Sequence, residues 1–374
     1  MTAGVSYTRC RLCARRCGVD RTRGQTGFCG TGSRLRIAWA GIHRGEEPLI
    51  CGRGGSGTIF LSGCTLRCFF CQNYQLSHGN LGRDTDVSEF ADICLMLERK
   101  GAENINIVTG THFLPSLAEG IRESRERGLT KPVVWNSSGY ESSEYLPLLN
   151  DFVDIYLPDL KTLDSSLSAS MFGVSDYPDA AARAIKEMAA SRPLLRRGSF
   201  LVSGLIVRHL VLPGLLENTR AVLAWFAENV ADRALLSLMF QYTPPAGPVP
   251  QGELQGGQGE RGEWKRRVSA EEYGRTLAML DEFGIEEGFV QEPSEDAPPC
   301  LPDFSLPDAF PGGLAYPLWF YGKNQAEGAR EICSQEICQQ ETCCQKIDHY
   351  QTRHRQARHR RTGHREIYDQ ADGM

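Results

Sequence analysis

Gly63-Cys64-Thr65-Leu66-Arg67-Cys68-Phe69-Phe70-Cys71-Gln72-Asn73 places three cysteines in C-x3-C-x2-C spacing directly after the β-rich run Thr58-Ile59-Phe60-Leu61-Ser62. A closed zinc site takes four ligands, and a four-iron cluster ordinarily takes four thiolates. Three close thiolates therefore describe a metal centre with one position left open, where iron can bind and act on something else. The competing reading is a small zinc knuckle or a group of buried thiols.

The composition around this loop bounds what it can serve. The chain has 374 residues, 41% of them hydrophobic, which is one large or two ordinary domains with a proper core. A formal net charge of -5 offers no argument for nucleic acid or an anionic membrane as partner. The sequence has no run of eighteen apolar residues and no apolar signal core near its start, so a soluble, cytoplasmic protein is expected. Fourteen cysteines in a long chain of this kind point to metal or redox chemistry rather than disulfides. Residues 1–40 hold eight arginines (Arg9, Arg11, Arg15, Arg16, Arg21, Arg23, Arg34 and Arg36) against the single acid Asp20. That local basic surface reads as a solvated face or, more sharply, as a dock for an acidic redox protein.

Upstream of the loop, Cys10, Cys13, Cys17 and Cys29 form a second cysteine group. A C-x2-C pair followed by two further cysteines matches a four-thiolate zinc or iron-sulfur site, the alternative being free thiols in an arm, and spacing does not choose the metal. His43-Arg44-Gly45-Glu46-Glu47-Pro48 and the glycine-rich Gly52-Arg53-Gly54-Gly55-Ser56-Gly57 follow. The glycines allow tight turns and close approach to a cofactor, but no phosphate-loop Lys-Ser/Thr comes after them.

Beyond the loop, strand and helix alternate. Phe90, Ile93, Cys94 and Leu97 repeat at helical spacing, which makes Cys94 a core residue rather than a ligand. Strands are expected at 105–109, 132–136, 153–157, 205–212 and 235–242, with helices at 114–128, 181–190 and 215–230. Ser269 with Glu272 forms a capping box for a helix whose apolar face is Tyr273, Leu277, Leu280 and Phe283. Six apolar strands, counting 58–62, separated by helical patterns mean a parallel sheet with helical crossovers, open or curled toward a barrel. Chemistry in such barrels sits at the C-terminal ends of strands. Those ends carry Cys64, Cys68 and Cys71; Thr109, Gly110, Thr111 and His112; Asn136 and Ser138; Asp159 and Lys161; Arg208 and His209; and Gln241 and Tyr242. Such a polar mouth suits a zwitterionic ligand, while the plain alternatives are packed histidines and a structural Asp159–Lys161 pair.

Two segments read as peripheral. Residues 246–267 are rich in Gly, Gln and Glu and interrupt the pattern as a surface insertion. From Glu331 the chain runs in degenerate five-residue units (EICSQ, EICQQ, ETCCQ, KIDHY, QTRHR, QARHR, RTGHR, EIYDQ), a period that builds no continuous face on helix or strand. Low-complexity disorder or metal binding by its cysteines and histidines are the two readings of this tail.

The cysteine loop, with an aromatic before its third cysteine and at the end of the first barrel strand, resembles that of radical S-adenosylmethionine (radical SAM) enzymes. Together with Cys10 to Cys29, His43 to Pro48, Gly55 to Phe60, Cys71-Gln72-Asn73, Asn104 to Thr109, Val134 to Tyr140, Ile155 to Lys161 and Val207 to Gly214, the chain resembles the pyruvate formate-lyase activating enzyme-like group over about residues 8–305. The resemblance implies a partial (β/α)6 TIM-like barrel at 51–305, behind a Cys-rich metal-binding segment at 1–50 and before a C-terminal extension at 306–374. It implies a 4Fe-4S cluster on Cys64, Cys68 and Cys71 whose open iron is chelated by S-adenosylmethionine, one-electron cleavage of the sulfonium, and a 5'-deoxyadenosyl radical made beside the substrate. By strand position, Thr109, Gly110 and Thr111 would line the methionine end. Asn136, Ser138, Asp159 and Lys161 would hold carboxylate and ribose, Arg208 the carboxylate or sulfonium side, and Gln241 and Tyr242 the adenosine. The implied partners are a glycyl-radical enzyme as substrate and an electron donor of flavodoxin or ferredoxin type. A small molecule or another peptide as substrate, and a non-catalytic iron-sulfur carrier or sensor, are the alternatives. Two features depart from the pattern: Thr109-Gly110-Thr111-His112 stands where many members have Gly-Gly-Glu, and the extra cysteines lie N-terminal to the loop, where they would hold zinc or a second cluster.

Overall fold

Strand and helix alternate along the chain as the two hydrophobic periods require. The computed structural model describes residues 6–245, 263–293 and 301–322. In chain order it contains β1 (Leu35–His43), α1 (Pro48–Cys51), β2 (Ser56–Leu61), α2 (Tyr74–Ser77), β3 (Arg83–Thr85), α3 (Val87–Arg99) and β4 (Ile105–Val108). Next come α4 (Leu114–Glu126), β5 (Val133–Ser137), α5 (Leu146–Asn150), β6 (Ile155–Pro158), α6 (Ser165–Phe172), α7 (Tyr177–Ser191) and β7 (Leu195–Arg197). The remainder is β8 (Phe200–Leu210), α8 (Leu216–Asn229), β9 (Leu235–Met239), α9 (Ala270–Glu282), β10 (Gly288–Val290) and β11 (Ala315–Phe320).

The sheet runs β10-β9-β8-β6-β5-β4-β2-β1-β11. Every pair from β2 to β10 is parallel, whereas β1 lies antiparallel between β2 and β11. This is a mixed α/β fold with a largely parallel open sheet, a partial TIM-like barrel. The six expected strands are β2, β4, β5, β6, β8 and β9; β10 adds a short seventh at one edge. At the other edge β1 and β11, from either side of the expected 51–305 segment, join the same sheet. The low-complexity tail and residues 246–262 lie outside the described residues.

Alternation assigns the two faces of the sheet. Ile105, Ile107, Val133, Trp135 and Tyr156 pack with the helices. Val134, Ile155, Leu157, Ile206 and Leu235 turn the other way and meet Ile50 of α1. Thus α1 and the turn before it close the inner face from below. On the outer face, α3 buries Phe90, Ile93, Cys94 and Leu97, as its spacing predicts, and is capped where Asp86 accepts from Glu89 N. Gly120 of α4 permits its close approach, because a Cβ there would stand 2.4 Å from the Phe90 ring. The predicted Ser269–Glu272 capping box opens α9. No helix among the described residues is long and apolar enough to cross a membrane.

Candidate active site

The three-cysteine loop leaves the C-terminal end of β2 and is clamped from both sides. Ser62 N donates to Arg36 O and Gly63 N to Leu76 O, each at 2.9 Å. Gly63 has φ +84°, and a Cβ there would lie 2.6 Å from Thr31 Cγ2 and 2.7 Å from Cys29 O, so the turn admits only glycine. Phe70, the aromatic before the third cysteine, anchors the far side with its ring centroid 6.4 Å from those of Phe172 and Tyr242 and 6.5 Å from that of Trp264. Trp264 falls in the stretch read as a surface insertion, yet it is buried beneath the loop. The end of that stretch is therefore core, because its one large aromatic finds the cavity beside Phe69 and Phe70.

Cys64 and Cys68 are buried and Cys71 is half-buried. Burial pushes the Cys68 thiol well up, with the Lys161 ammonium opposing it, and holds Cys71 at about 11. Buried thiols stay neutral unless a cation compensates the thiolate. Leu66 N points at Cys64 Sγ from 3.4 Å, as an amide would toward a thiolate. Three soft donors on one loop, with an amide supporting the first, fit a cluster site. Among the described residues no three His, Cys, Asp or Glu side chains converge to hold a single metal ion. A multi-iron cluster does not require that, since its thiolates sit on separate irons.

Around the loop the strand ends form a mouth whose polar residues are half-buried: Thr109, Asn136, Ser138, Asp159, Lys161, Arg208 and Gln241. Thr109 has φ +60°, a conformation costly for a branched residue, and its N–H donates to Asn136 O at 2.8 Å. Thr111 is buried, and its hydroxyl donates to Glu141 Oε1 at 3.0 Å. Lys161 Nζ pairs with Asp159 Oδ2 at 2.6 Å. Burial would lower the lysine, but Asp159 and then Cys68 raise it, so the ammonium is kept charged. Gln72, next to Cys71, donates to Gln241 O at 2.9 Å and ties the loop to the end of β9. Tyr242 is buried and spends its hydroxyl on Trp264 O at 2.9 Å. Both candidate histidines are buried and hydrogen-bonded: His112 Nε2 meets Ser62 O at 2.8 Å, and His209 meets Leu160 O at 2.7 Å and Thr219 Oγ1 at 3.0 Å. Burial lowers them to about 3 and about 4, so they are neutral packing residues.

Arg208 faces three carboxylates, two of which the sequence did not single out. Its Nη1 lies 3.5 Å from Glu46 Oε2, and its Nε lies 3.5 Å from Glu47 Oε1 and 3.8 Å from Asp159 Oδ1. Glu46 and Glu47 are both buried, brought under the mouth by the turn between β1 and α1, and Asn106 Nδ2 donates to Glu46 Oε1 at 3.1 Å. Burial raises both carboxyls against the pull of Arg208. A sequence signal was present in the paired acids before Pro48, but their partner is some 160 positions away in the chain.

Residues 58–214 match the Radical SAM superfamily. This part of the chain is similar to a radical SAM domain. An uncharacterized protein of Methanocaldococcus jannaschii is 27% identical over 292 residues, spanning 75% of this chain and 76% of that protein. Among solved structures, SuiB of Streptococcus suis bound to S-adenosylmethionine is 14% identical with a TM-score of 0.41, over 61% of this chain and 48% of SuiB. The chain thus spans about half the length of SuiB. A domain of pyruvate-formate lyase-activating enzyme from Bacteroides vulgatus is 12% identical with a TM-score of 0.33, over 48% of this chain and 91% of that domain.

Outside the matched residues, the N-terminal cysteine segment lies against the mouth formed by the strand ends. Ala14 N donates to Tyr140 O at 3.3 Å, and Arg15 reaches Thr65 O inside the cysteine loop and Phe172 O, both at 2.6 Å. Cys10, Cys13 and Cys29 are buried and Cys17 is exposed. Burial raises the Cys13 thiol to about 12, with Cys17, Cys29 and Cys10 near enough to add to the rise. Of the eight arginines, Arg21 is buried, whereas Arg9, Arg11, Arg16, Arg23 and Arg34 are exposed.

Proposed function

We propose that the protein is a radical SAM enzyme that cleaves S-adenosylmethionine reductively at a 4Fe-4S cluster held by Cys64, Cys68 and Cys71, and that it activates a partner protein by drawing a hydrogen atom from a backbone glycine. The observation that carries the first part is the placement of three soft thiols at the end of β2 beside a mouth that offers charges of both signs, Lys161 and Asp159 next to Cys68. When bound, such a cluster supplies one electron to the sulfonium and so yields the 5'-deoxyadenosyl radical.

The chain's own residues hold and orient. The backbone of Thr109, Gly110 and Thr111 lines the methionine end, Thr111 through its main chain because its hydroxyl is engaged by Glu141. Asn136 and Ser138, two apart on β5 and its end and therefore on one face, meet the ribose. Asp159, Lys161 and Arg208 complement the ammonium and carboxylate of the amino-acid end, while Gln241 and the ring of Tyr242 wall the adenosine. The aromatic packing of Phe70, Trp264 and Tyr242 keeps water from the loop's inner side. The glycine target is supported by the set of motifs shared with activating enzymes. The exposed arginines of the N-terminal segment suit an acidic flavodoxin- or ferredoxin-type donor. Cys10, Cys13, Cys17 and Cys29 do not converge on a single ion; in this reading they form a second metal site as the separate thiolates of a cluster, and iron and zinc analysis of the purified protein tests this against zinc.

The test is anaerobic reconstitution followed by reduction in the presence of S-adenosylmethionine. The expected product is 5'-deoxyadenosine, and an intact cluster that yields none overturns the enzymatic reading. With product formed, addition of a candidate glycyl-radical protein should give a glycyl signal by electron paramagnetic resonance. Its absence with every encoded candidate overturns the glycine target and leaves a small molecule or another peptide as substrate.

A further inference from the structure

The acids beneath the mouth, Glu46 and Glu47 buried and Asp159 half-buried, are more numerous than their cations. Glu46, Glu47 and Asp159 face Arg208 and Lys161, and His43, the other titratable neighbour, is lowered by burial to about 4 and is neutral. His43 Nδ1 stands 3.7 Å from Glu46 Oε1, and its ring centroid is 4.8 Å from that of Phe310. Besides His43 Nδ1, which is also buried without a partner, two oxygens of this group have no donor. Asn106 is fully buried and gives its Nδ2 to Glu46, which turns Oδ1 outward from that bond as an acceptor without a partner; Glu47 Oε2 is likewise buried and unpartnered. Arg208 Nε is the one cationic donor unpaired beside them, and it already lies between Glu47 and Asp159. The amide oxygen of Asn106 can only accept, and so can Glu47 while it is ionised, so two buried oxygens are left that a ligand with N–H or O–H donors would satisfy. Leaving each empty costs about 1–3 kcal/mol.

We propose that Glu46, Glu47 and Asn106 form a subsite for a primary ammonium group on the substrate, which enters beneath the mouth on the inner face of the sheet. This rests on the radical SAM reading above and names the chemical class of what that site acts on. An ammonium brings three donors and one positive charge, which completes both unpartnered oxygens and adds a second cation to Arg208 beside Glu46 and Glu47. A neutral alcohol of the same length supplies one donor and no charge. Apolar clusters accompany these elements: Phe60, Phe304 and Phe310 form one, with Phe310 against His43, and Ile50 of α1 joins Val134, Ile155 and Leu157 in another, and such surfaces suit the methylene stem of an alkylamine or a lysine side chain.

The test uses the full-length, cluster-reconstituted protein with S-adenosylmethionine present and no reductant, titrated calorimetrically with n-butylamine, N-acetyl-lysine methylamide and 1-butanol at pH 7. The expected result is saturable binding of an amine at least tenfold tighter than of butanol, weakened at least tenfold in Glu47→Gln. Tighter binding of the lysine amide than of butylamine assigns the ammonium to a peptide, and the reverse assigns it to a free amine. Should Glu47→Gln fail to fold, the comparison of amine with alcohol on the unaltered protein decides alone. Equal binding of amine and alcohol, or no amine binding at all, overturns the subsite. A parallel 5'-deoxyadenosine assay separates the two failures: product without amine binding refutes only the subsite, and no product refutes the reading on which it rests.

Discussion

Replacing Arg21 by Met should loosen the N-terminal cysteine segment from the barrel without unfolding the sheet. Arg21 is 1% exposed and donates to Thr31 O at 3.2 Å, to Gly32 O at 3.1 Å, to Thr31 Oγ1 at 3.0 Å and to His112 O, while its guanidinium lies 4.8 Å from the Tyr7 ring centroid. Methionine fills a similar volume but leaves the carbonyls of Thr31, Gly32 and His112 without a donor. A hydrogen bond to a charged group contributes about 1.5–3 kcal/mol and an orphaned buried acceptor costs about 1–3 kcal/mol. Water reaching part of the gap offsets some of this, which leaves a net loss of about 4 kcal/mol. At about 1.4 kcal/mol per decade, local opening becomes roughly three decades more frequent. Native-state hydrogen exchange reads it directly at the amides of Cys10, Gly18 and Arg21, which donate to Val19 O, Cys10 O and Tyr7 O. Amides of β4 and β5 should keep their protection. Arg21→Lys should recover little, because one ammonium cannot span acceptors arranged for a planar fork. Protection in Arg21→Met within fivefold of the parent would refute the claim that this side chain holds the segment in place.

The remaining predictions concern stability. Glu272 is held at about 2: burial pushes it up, but Arg266 and the N–H groups of Ser269 and Gly214 outweigh that. A depressed carboxylate stabilises above its unfolded pKa, so its contribution should be complete above about pH 5 and fade as pH falls toward 2. Glu272→Gln should lose about 1 kcal/mol at pH 7, discounted for partial exposure, and should flatten the denaturation midpoint over that acid window; an unchanged pH profile contradicts it. Ending the chain after Gly313 removes β11 and with it the buried Trp319, whose indole donates to Glu89 Oε1 at 3.2 Å, and should cost at least about 2 kcal/mol in urea denaturation. Ending it after Gly328 should leave both the midpoint and S-adenosylmethionine cleavage unchanged, and lost cleavage there would give the tail a role.

The parallel core was legible because its signals are local. The repeat Phe90, Ile93, Cys94 and Leu97, the capping box at Ser269 and the run Thr58 to Ser62 each state their element within a dozen residues, and the strand ends then follow from topology. Edges were harder to read. β10 has only three residues, and β11 contains Pro317, which demotes a run to edge strand or non-strand. Charged residues were hardest. Arg21 reads like any of its seven neighbours until the carbonyls of Thr31, Gly32 and His112 surround it, and Glu46 and Glu47 look solvated until Arg208 is brought beside them. Burial of a charge is decided by a distant partner, so no local pattern announces it.

The central claim is that Cys64, Cys68 and Cys71 hold a cluster that cleaves S-adenosylmethionine. Its most direct measurement is 5'-deoxyadenosine formed by the anaerobically reduced, reconstituted protein beside its Cys68→Ala variant. The account predicts product from the parent and a loss of at least about a thousandfold, roughly 4 kcal/mol, in the variant. Undiminished product from Cys68→Ala would contradict it.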